Sequence, residues 1–315
     1  RSSRCSRKRP DAAGGPRPIP NLGAMSEQQR QSLIGITAAI VIGGLVMWAG
    51  SDGSRTVGSI AIFALCGILA YVINWLVFIP SYAAKTEDFY DLTGSFTYIS
   101  ITVLALVLSG DLDGRAVVIG GMVLVWALRL GTFLFRRVRR SGGDDRFDQI
   151  KVDFLRFLMT WTLQGLWVLL TAAAALAVIT GQAREPIGWV AIVGFAIWAI
   201  GFGIEVVADR QKSAFKADPS NEGKFINTGL WAWSRHPNYF GEITLWTGIA
   251  IAAIPVLSGW RWVVLISPIF VYLLITRVSG VPMLEKKADD RWGGEEDYER
   301  YKANTPELVL RPPRS

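Results

Sequence analysis

The residue types that could do chemistry are concentrated in one short stretch, SRHPNYFGEITLW, in the last third of the chain. Eight consecutive positions hold an arginine, the only histidine of the chain, an asparagine, a tyrosine and a glutamate, namely Arg235, His236, Asn238, Tyr239 and Glu242. Proline is favoured as the first residue of a helix, so Pro237 predicts that a helix begins there. A helix start binds anions through its free N–H groups. An anion-binding site and an amphipathic entry helix both fit this pattern.

A second polar stretch, GIEVVADRQKSAFK, occupies 203–216, before the first stretch. Four of its charged residues, counted from the first, lie at +4, +7 and +11 and would share one stripe of a helix; they are Glu205, Asp209, Lys212 and Lys216. Such a stripe is either a salt-bridged helix leaving the membrane or a wall of a ligand site. The stretch GFGIEV lacks the third glycine of a dinucleotide fingerprint and has no preceding strand.

Arg129 is the third candidate, because it lies inside the apolar segment WALRLGTFLFRR. An ionisable residue inside an apolar segment is costly and is a functional candidate by default. Two interpretations stay open for Arg129: a side chain that extends to the membrane interface, and a ligand of a phosphate group.

The elements that position these residues are predicted to be membrane-spanning helices. Apolar residues make up 51% of the chain and charged residues only 19%, and residues 57–79 and 157–180 contain no charge at all. About 20 apolar residues span a bilayer. We therefore predict an all-α, polytopic integral membrane helix bundle with seven or eight transmembrane helices, at about 33–50, 57–79, 94–110, 116–135, 155–180, 187–207, 242–258 and 261–279. The last two could form a hairpin around Ser258, Gly259 and Trp260.

The distribution of basic residues predicts which side of the membrane carries the site. Three basic stretches follow the fourth, sixth and last segments, and they include Arg136, Arg137, Arg139, Arg140, Arg146, Lys151, Arg210, Lys212, Lys216, Lys224, Arg235, Arg277, Lys286, Lys287 and Arg291. The alternate loops are short and carry few basic residues. By the positive-inside rule the basic stretches face the cytoplasm. We expect a multi-pass protein of a bacterial-type cytoplasmic (inner) membrane, with the candidate site on the cytoplasmic side.

The net charge of +7 does not indicate nucleic-acid binding, since the basic residues flank apolar segments. The two cysteines, Cys5 and Cys66, lie in a polar tail and within a span, so neither a disulfide framework nor a metal site is expected. Residues 1–24 have no apolar periodicity and are predicted to be a disordered tail or non-native upstream sequence. Residues 25–315 would then form one membrane-embedded domain, with its cofactor-binding part mainly in 200–312. The oligomeric state stays open.

On the stretch SRHPNYFGEITLW and the helix before it, the chain resembles the steroid 5α-reductase family, and especially its bacterial uncharacterised-domain branch. The resemblance covers about 85–312. It implies a reductase that uses NADPH to reduce the Δ4 double bond of a 3-oxo-steroid, by hydride addition to the β-carbon while the 3-ketone is polarised. It also implies that the spans enclose both molecules.

The resemblance assigns cofactor-binding roles position by position. Asp209 matches an aspartate of the family, and Asn238 and Glu242 match an Asn-x-x-Gly-Glu pattern. Glu205 stands where the family has asparagine, and Lys216 where it has a phosphate-binding arginine. Further residues that we expect to bind NADPH are Arg129, Lys212, Arg235, His236, Tyr239, Arg277, which matches the arginine closing the last span, and Glu285, which occupies the region of the family's tail histidine and tyrosine.

The same resemblance implies a carboxylate–tyrosine pair as catalytic residues. Asp91 and Tyr98 lie seven positions apart, two turns along one helix, and are our candidates for orienting and donating to the ketone. The alternative is that Asp91 caps the helix and Tyr98 is an aromatic residue at the membrane interface. A steroid or isoprenoid enone would enter from the membrane lipid; Trp75, Phe89, Phe96 and Trp161 are candidate contacts.

Two other functions stay open on the sequence. The RHPxY pattern is also found in isoprenylcysteine and phospholipid methyltransferases, which use S-adenosylmethionine. The several cations favour NADPH, since its phosphates need them and a sulfonium does not. A lipid or solute carrier without chemistry is the third reading; the concentration of polar residues near one side argues against transport.

Overall fold

The protein is an all-α bundle, described here from a computed structural model covering residues 25–141 and 147–313. The predicted tail of 1–24 and the residue Arg146 lie outside the described residues, as do the side chains of Arg136, Arg137, Arg139 and Arg140. Ten α-helices are seen in the described part: α1 (Glu27–Gly50), α2 (Ile62–Ala84), α3 (Tyr90–Ser109), α4 (Gly114–Ser141), α5 (Phe154–Thr180), α6 (Trp189–Ala217), α7 (Pro237–Ala253), α8 (Ile266–Leu273), α9 (Val281–Trp292) and α10 (Glu296–Asn304). Two short strands, β1 (Thr56–Val57) and β2 (Ile60–Ala61), pair antiparallel between α1 and α2.

Eight of the helical segments in the described part are long and apolar enough to cross a membrane. This confirms the predicted multi-pass helix bundle and favours eight spans over seven. The predicted hairpin is present, with Gly259 in a positive-φ turn between the last two spans. The eighth span is interrupted by a π-helical turn at Leu274–Val278.

The third helix begins four residues earlier than its apolar segment predicts. The apolar run starts at Gly94, but α3 begins at Tyr90 and includes Asp91 and Thr93. The hydroxyl of Thr93 donates a hydrogen bond to the carbonyl of Phe89, at 2.7 Å. A polar side chain that is hydrogen-bonded within its own helix adds little cost at a membrane interface, so hydropathy alone places the start too late.

Helix α5 is the central helix of the bundle. Nearly all of its residues from Gly165 to Thr180 are buried, and α1, α2, α3, α4, α7 and α8 all pack against it. Four consecutive alanines, 172–175, lie on it, and small side chains let neighbouring helices approach closely in a membrane protein. Six of the other spans therefore surround α5 and expose their outer faces, while α6 packs on α7.

Because successive spans alternate in direction, the bundle has two ends with different roles. We call the end where α2, α4 and α6 finish and α3, α5 and α7 begin the site end, and the opposite one the far end. Contacts between segments at the same end agree with this: Arg235 forms an ion pair with Glu285 at the site end. At the far end, the backbone N–H of Trp260 donates to Asp52. All the candidate cofactor-binding residues lie on segments near the site end.

The far end carries more arginine than the expectation of few basic residues allows, and the structure explains this. The last carbonyls of a helix have no partner within it. Those of α5 are bound by Arg261, which donates to Ala177, and by Arg184, which donates to Val178 at 3.0 Å. The backbone N–H of Arg55 bonds Thr180 at 2.7 Å. The guanidinium groups of Arg261 and Arg184 thus bind backbone carbonyls inside the protein, so these two arginines say little about the surface charge of that end.

Candidate functional site

The site is built where α6 and α7 pack most closely. Gly194 and Gly201 on α6 face Gly248 and Gly241 on α7 across the contact. A Cβ at Gly201 would lie 2.5 Å from the backbone nitrogen of Leu245. A Cβ at Gly241 would lie 2.6 Å from the carbonyl oxygen of Gly201. Only glycine allows these two backbones to touch, and the contact places the polar residues of α6 beside those of α7.

Arg129 binds two carboxylates of α6 at once. One terminal nitrogen of its guanidinium binds Glu205 and the other binds Asp209, and the side chain is mostly buried. The indole nitrogen of Trp126, one turn earlier on α4, donates to Glu205 at 3.2 Å. Asn238 donates its amide to Asp209 at 3.2 Å. The structure thus brings Arg129, Glu205, Asp209 and Asn238 together, and places Arg129 as an internal counter-ion of acidic side chains.

Glu242 completes this set, which we call the acidic cluster: Arg129, Glu205, Asp209, Asn238 and Glu242. It lies one turn beyond Asn238 on α7, close enough for its charge to act on Glu205 and Asp209. Among the residues the structure describes, no hydrogen bond to the Glu242 carboxylate is found. The cluster holds three carboxylates and one arginine, so its formal charge is negative when all are ionised.

Tyr98 forms part of the aromatic wall beside the acidic cluster. Its ring lies 5.0 Å from that of Trp126 and 6.1 Å from that of Trp246, measured between centroids. It is buried, and the charge of Glu242 reaches its phenol. Asp91 lies two turns away in the first turn of α3 and is partly exposed. The pairing of Tyr98 with Asp91 stays a prediction, and Glu242 is a second carboxylate whose charge acts on the phenol.

His236 and Arg235 join the start of α7 to the C-terminal helices. The Nε2 atom of His236 lies 2.7 Å from Glu285 on α9, and Arg235 lies 3.0 Å from the other oxygen of the same carboxylate. Arg235 also donates to the carbonyl of Lys302, at 2.9 Å. Tyr301 donates to the carbonyl of Trp231 at 2.6 Å, and burial raises the pKa of its phenol, so it remains a donor. These contacts fix the segment before α7.

The remaining predicted cofactor residues lie around the acidic cluster and not in it. The ammonium of Lys212 is 4.3 Å from the centroid of the Trp231 ring. The ring of Tyr239 stacks on His236, with centroids 5.8 Å apart. Lys216 and Arg277 are exposed at the site end. The predicted stripe on α6 is thus one continuous helix face, with its carboxylates inside the bundle and its lysines towards the surface.

Sequence reasoning missed two components of the site. The first is Trp126, which carries no charge that would mark it as a candidate in the sequence, although it binds Glu205 and contacts Tyr98. The second component is the set of glycines at the α6–α7 contact. Their spacing was a readable signal, since Gly194 and Gly201 are seven positions apart, as are Gly241 and Gly248.

The candidate substrate contacts do not form one pocket. Trp161 is fully buried, and Trp75 donates its indole N–H to Thr162 at 3.0 Å. Phe96 on the outer face of α3 and Phe89, which directly precedes this helix, are both exposed. Exposed aromatic side chains on a span face the lipid, so these two do not belong with the buried tryptophans.

Comparisons with known proteins assign the chain to a family but not to a reaction. Residues 77–305 match the family described as "Protein of unknown function (DUF1295)". A curated relative, the probable O-methyltransferase ustE of Ustilaginoidea virens, is 36% identical over 93 residues. That match covers 29% of this chain and 32% of the relative. No solved structure matches the chain significantly. With its match running from the end of α2 to the end of α10, the chain belongs to the DUF1295 family of proteins.

Proposed function

We propose that this protein is a membrane-embedded reductase that uses NADPH to reduce the Δ4 double bond of a 3-oxo-steroid or a similar isoprenoid enone. The observation that carries the proposal is the acidic cluster beside the aromatic wall. Hydrogen-bonding groups for a polar cofactor adjoin an apolar interior suited to a lipophilic substrate. The resemblance of the Asn238-to-Glu242 stretch to steroid 5α-reductases supports the same reading.

Two unsatisfied atoms support the fit of a nicotinamide cofactor. The Oδ1 atom of Asn238 and the Nδ1 atom of His236 are buried and have no hydrogen-bond partner in the described part of the protein. A buried polar atom left without a partner costs about 1–3 kcal/mol, and a bound polar ligand would remove that cost. Carboxylates accept hydrogen bonds from ribose hydroxyls and a carboxamide N–H.

Cations at the site end would supply the positive charge that the phosphates of this cofactor need. Lys212 lies on the same helix face as Asp209, one turn closer to the surface, and Lys216 follows it. Arg277 is exposed on the last span. A dinucleotide could then extend from the acidic cluster, which would hold its nicotinamide riboside, to this basic rim, which would hold its phosphates.

In this proposal the protein contributes placement and electrostatics. When bound, NADPH supplies the hydride that adds to the β-carbon of the enone, leaving NADP⁺, while the α-carbon takes a proton. Tyr98 holds a proton for the ketone oxygen, where negative charge develops, and its burial strengthens that hydrogen bond. Trp126 and Trp246 exclude water from the phenol. Glu242, whose charge acts on the phenol, would then help to orient it.

A methyltransferase that uses S-adenosylmethionine is the second candidate, because two observations favour it. The relative that matches part of the chain is named a probable O-methyltransferase. The net negative charge of the acidic cluster would also suit a sulfonium or ammonium group, which carries a positive charge.

One thermal-shift experiment on the detergent-purified protein distinguishes the two functions, with NADPH, NADH and S-adenosylmethionine as ligands. A ligand at 100 times its Kd adds about 2.7 kcal/mol to the stability. We expect a shift with NADPH, absent in Asn238→Ala and kept in Asn227→Ala. Asn227 is a matched control, since it is an exposed asparagine of the loop before α7.

Turnover then completes the test. With NADPH and testosterone or progesterone, we expect loss of the 340-nm absorbance together with formation of the 5α-dihydro product. A shift with S-adenosylmethionine alone would overturn the reductase and leave the methyltransferase. Shifts that persist in Asn238→Ala would remove the acidic cluster from the cofactor site.

A further inference from the structure

Helix α3 presents two buried faces to different neighbours. One face carries Tyr98, which contacts α4 and α7 beside the acidic cluster. The other, adjacent to it within about 100° of rotation around the helix, carries Tyr90, Gly94 and Thr97 and packs against α2 and α5. The second face has polar groups that the proposed reduction does not use.

Three buried polar atoms along this second face have no hydrogen-bond partner among the described residues. They are the Oδ1 atom of Asn74 on α2, and the Oε1 atom of Gln164 and the indole Nε1 of Trp161 on α5. The relative exposures are 0% for Asn74, 7% for Gln164 and 0% for Trp161. We call these three side chains the neutral polar group.

The amide orientations follow from their other contacts. The Nδ2 atom of Asn74 donates to the carbonyl of Ala70, at 2.8 Å, and is 3.4 Å from Thr97 Oγ1. The Nε2 atom of Gln164 donates to the carbonyl of Tyr90, at 3.0 Å. A carbonyl oxygen can only accept, so each amide must turn its nitrogen towards it and keep its oxygen as a free acceptor.

All three residues converge on the same stretch of α3. A Cβ at Gly94 would lie 2.9 Å from Gln164 Nε2, and Thr97 is less than one turn further along. Trp161 packs edge-on against Tyr90, with ring centroids 5.2 Å apart. The neighbouring indole of Trp75 is satisfied by Thr162, at 3.0 Å. The Trp75 indole therefore needs no further partner.

Such atoms are expensive in the hydrocarbon region, where no bulk water can satisfy them. The group offers two acceptors and one donor and contains no charged side chain. A hydroxyl both donates and accepts, whereas a ketone only accepts. A hydroxyl therefore matches both an amide oxygen and an indole N–H, whereas a charged group would find no counter-ion among these three side chains.

We propose that Asn74, Gln164 and Trp161 form a binding site for the hydroxyl group of an uncharged lipophilic ligand, at the α2–α3–α5 junction, on the face of α3 adjacent to that of Tyr98. The proposal rests on the proposed function only in taking this ligand to be the substrate. Binding itself needs no cofactor, so it can be measured separately.

The experiment compares ligands that differ only in the hydroxyl. Testosterone and androst-4-en-3-one, which lacks the 17-hydroxyl, form one pair; farnesol and farnesene form the second. Equilibrium binding is measured in lipid nanodiscs without NADPH. We expect the hydroxyl-bearing member of at least one pair to bind about fivefold to tenfold more tightly, as a buried hydrogen bond implies.

Nearly isosteric variants locate the effect. Trp161→Phe removes the N–H and keeps an aromatic ring, and Gln164→Met removes the amide and keeps the chain length. Each is expected to abolish the hydroxyl preference. Trp198→Phe is the matched control, because Trp198 on α6 also has a buried indole N–H without a described partner; it should keep the preference.

Two results would overturn the proposal: no hydroxyl preference in the wild-type protein, or a preference unchanged in both variants, which would mean that the group holds structural water only. The NADPH thermal shift is recorded on the same preparations. Loss of the NADPH shift with the preference intact would contradict the reductase and leave this site standing. A normal NADPH shift without the hydroxyl preference would contradict this site and leave the reductase standing.

Discussion

Arg129 is the one residue whose removal should affect the whole acidic cluster. Its two terminal nitrogens neutralise Glu205 and Asp209, which are both buried. Within a bundle, a carboxylate that loses its partner is left as an uncompensated buried charge. The guanidinium fork also sets the geometry between the two carboxylates, because it binds both in one plane.

We expect Arg129→Met to lower the stability by about 3–5 kcal/mol, the usual cost of removing one partner of a buried pair. Thermal unfolding in detergent measures this. Adding Glu205→Gln should recover part of the loss, since it removes one uncompensated charge. Lys212→Met is the control and should be mild, because that lysine lies outside the cluster. A single Arg129→Met variant as stable as wild type would show that the carboxylates are neutral.

Measurements of turnover distinguish the catalytic role of Tyr98 from that of Asp91. If Tyr98 donates to the ketone, Tyr98→Phe should lower kcat about 100-fold or more, as loss of an oxyanion donor does. Asp91→Asn should change kcat little, because the structure places Asp91 two turns away. Steady-state kinetics with testosterone decides this, with NADPH binding as the check on folding. A larger loss in Asp91→Asn would restore the carboxylate–tyrosine pair expected from the sequence.

At the scale of elements, what the sequence predicts well is local. Pro237 is the first residue of α7, as expected, and Glu205 and Asp209 share one face of α6. What it could not predict is contact between distant elements. Arg129 is 76 and 80 positions from its two partners, and the charge of Glu242 reaches Tyr98 from another helix. Hydropathy finds each span but carries no information on which faces meet.

The α6–α7 glycine contact is the element on which the geometry of the site depends. A methyl group at Gly201 or Gly241 would be placed within 2.7 Å of the facing backbone, so the helices must separate. We expect Gly201→Ala to destabilise the protein by about 1–3 kcal/mol, as overpacking does, and to weaken the NADPH thermal shift.

Gly203→Ala is the matched control on the same helix, because a Cβ there meets nothing within 4 Å. It should be neutral or slightly stabilising, since alanine favours helix more than glycine. Thermal unfolding of both variants, with and without NADPH, makes the comparison. Equal behaviour of the two glycines would mean that α6 and α7 do not touch as closely as described.

For the whole molecule, the separation of charge between the two ends predicts its orientation in the membrane. The exposed cations of the described part include Arg210, Lys216 and Arg277 at the site end. The far-end arginines Arg184 and Arg261 are bound to backbone carbonyls of α5. The positive-inside rule concerns basic residues that meet the membrane surface. The site end is therefore predicted to face the cytoplasm, where NADPH is available.

Single cysteines at the two ends test this orientation in a background carrying Cys5→Ser and Cys66→Ala. We expect a membrane-impermeant maleimide to label Lys216→Cys in inside-out vesicles only and Glu185→Cys in intact spheroplasts only, with both labelled in detergent. Both positions are exposed. Labelling of both from one side would mean an even number of crossings between them and contradict the span assignment, since α6 alone separates residues 185 and 216. A reversed pattern would keep the fold and place the acidic cluster outside the cytoplasm, beyond the reach of cytosolic NADPH.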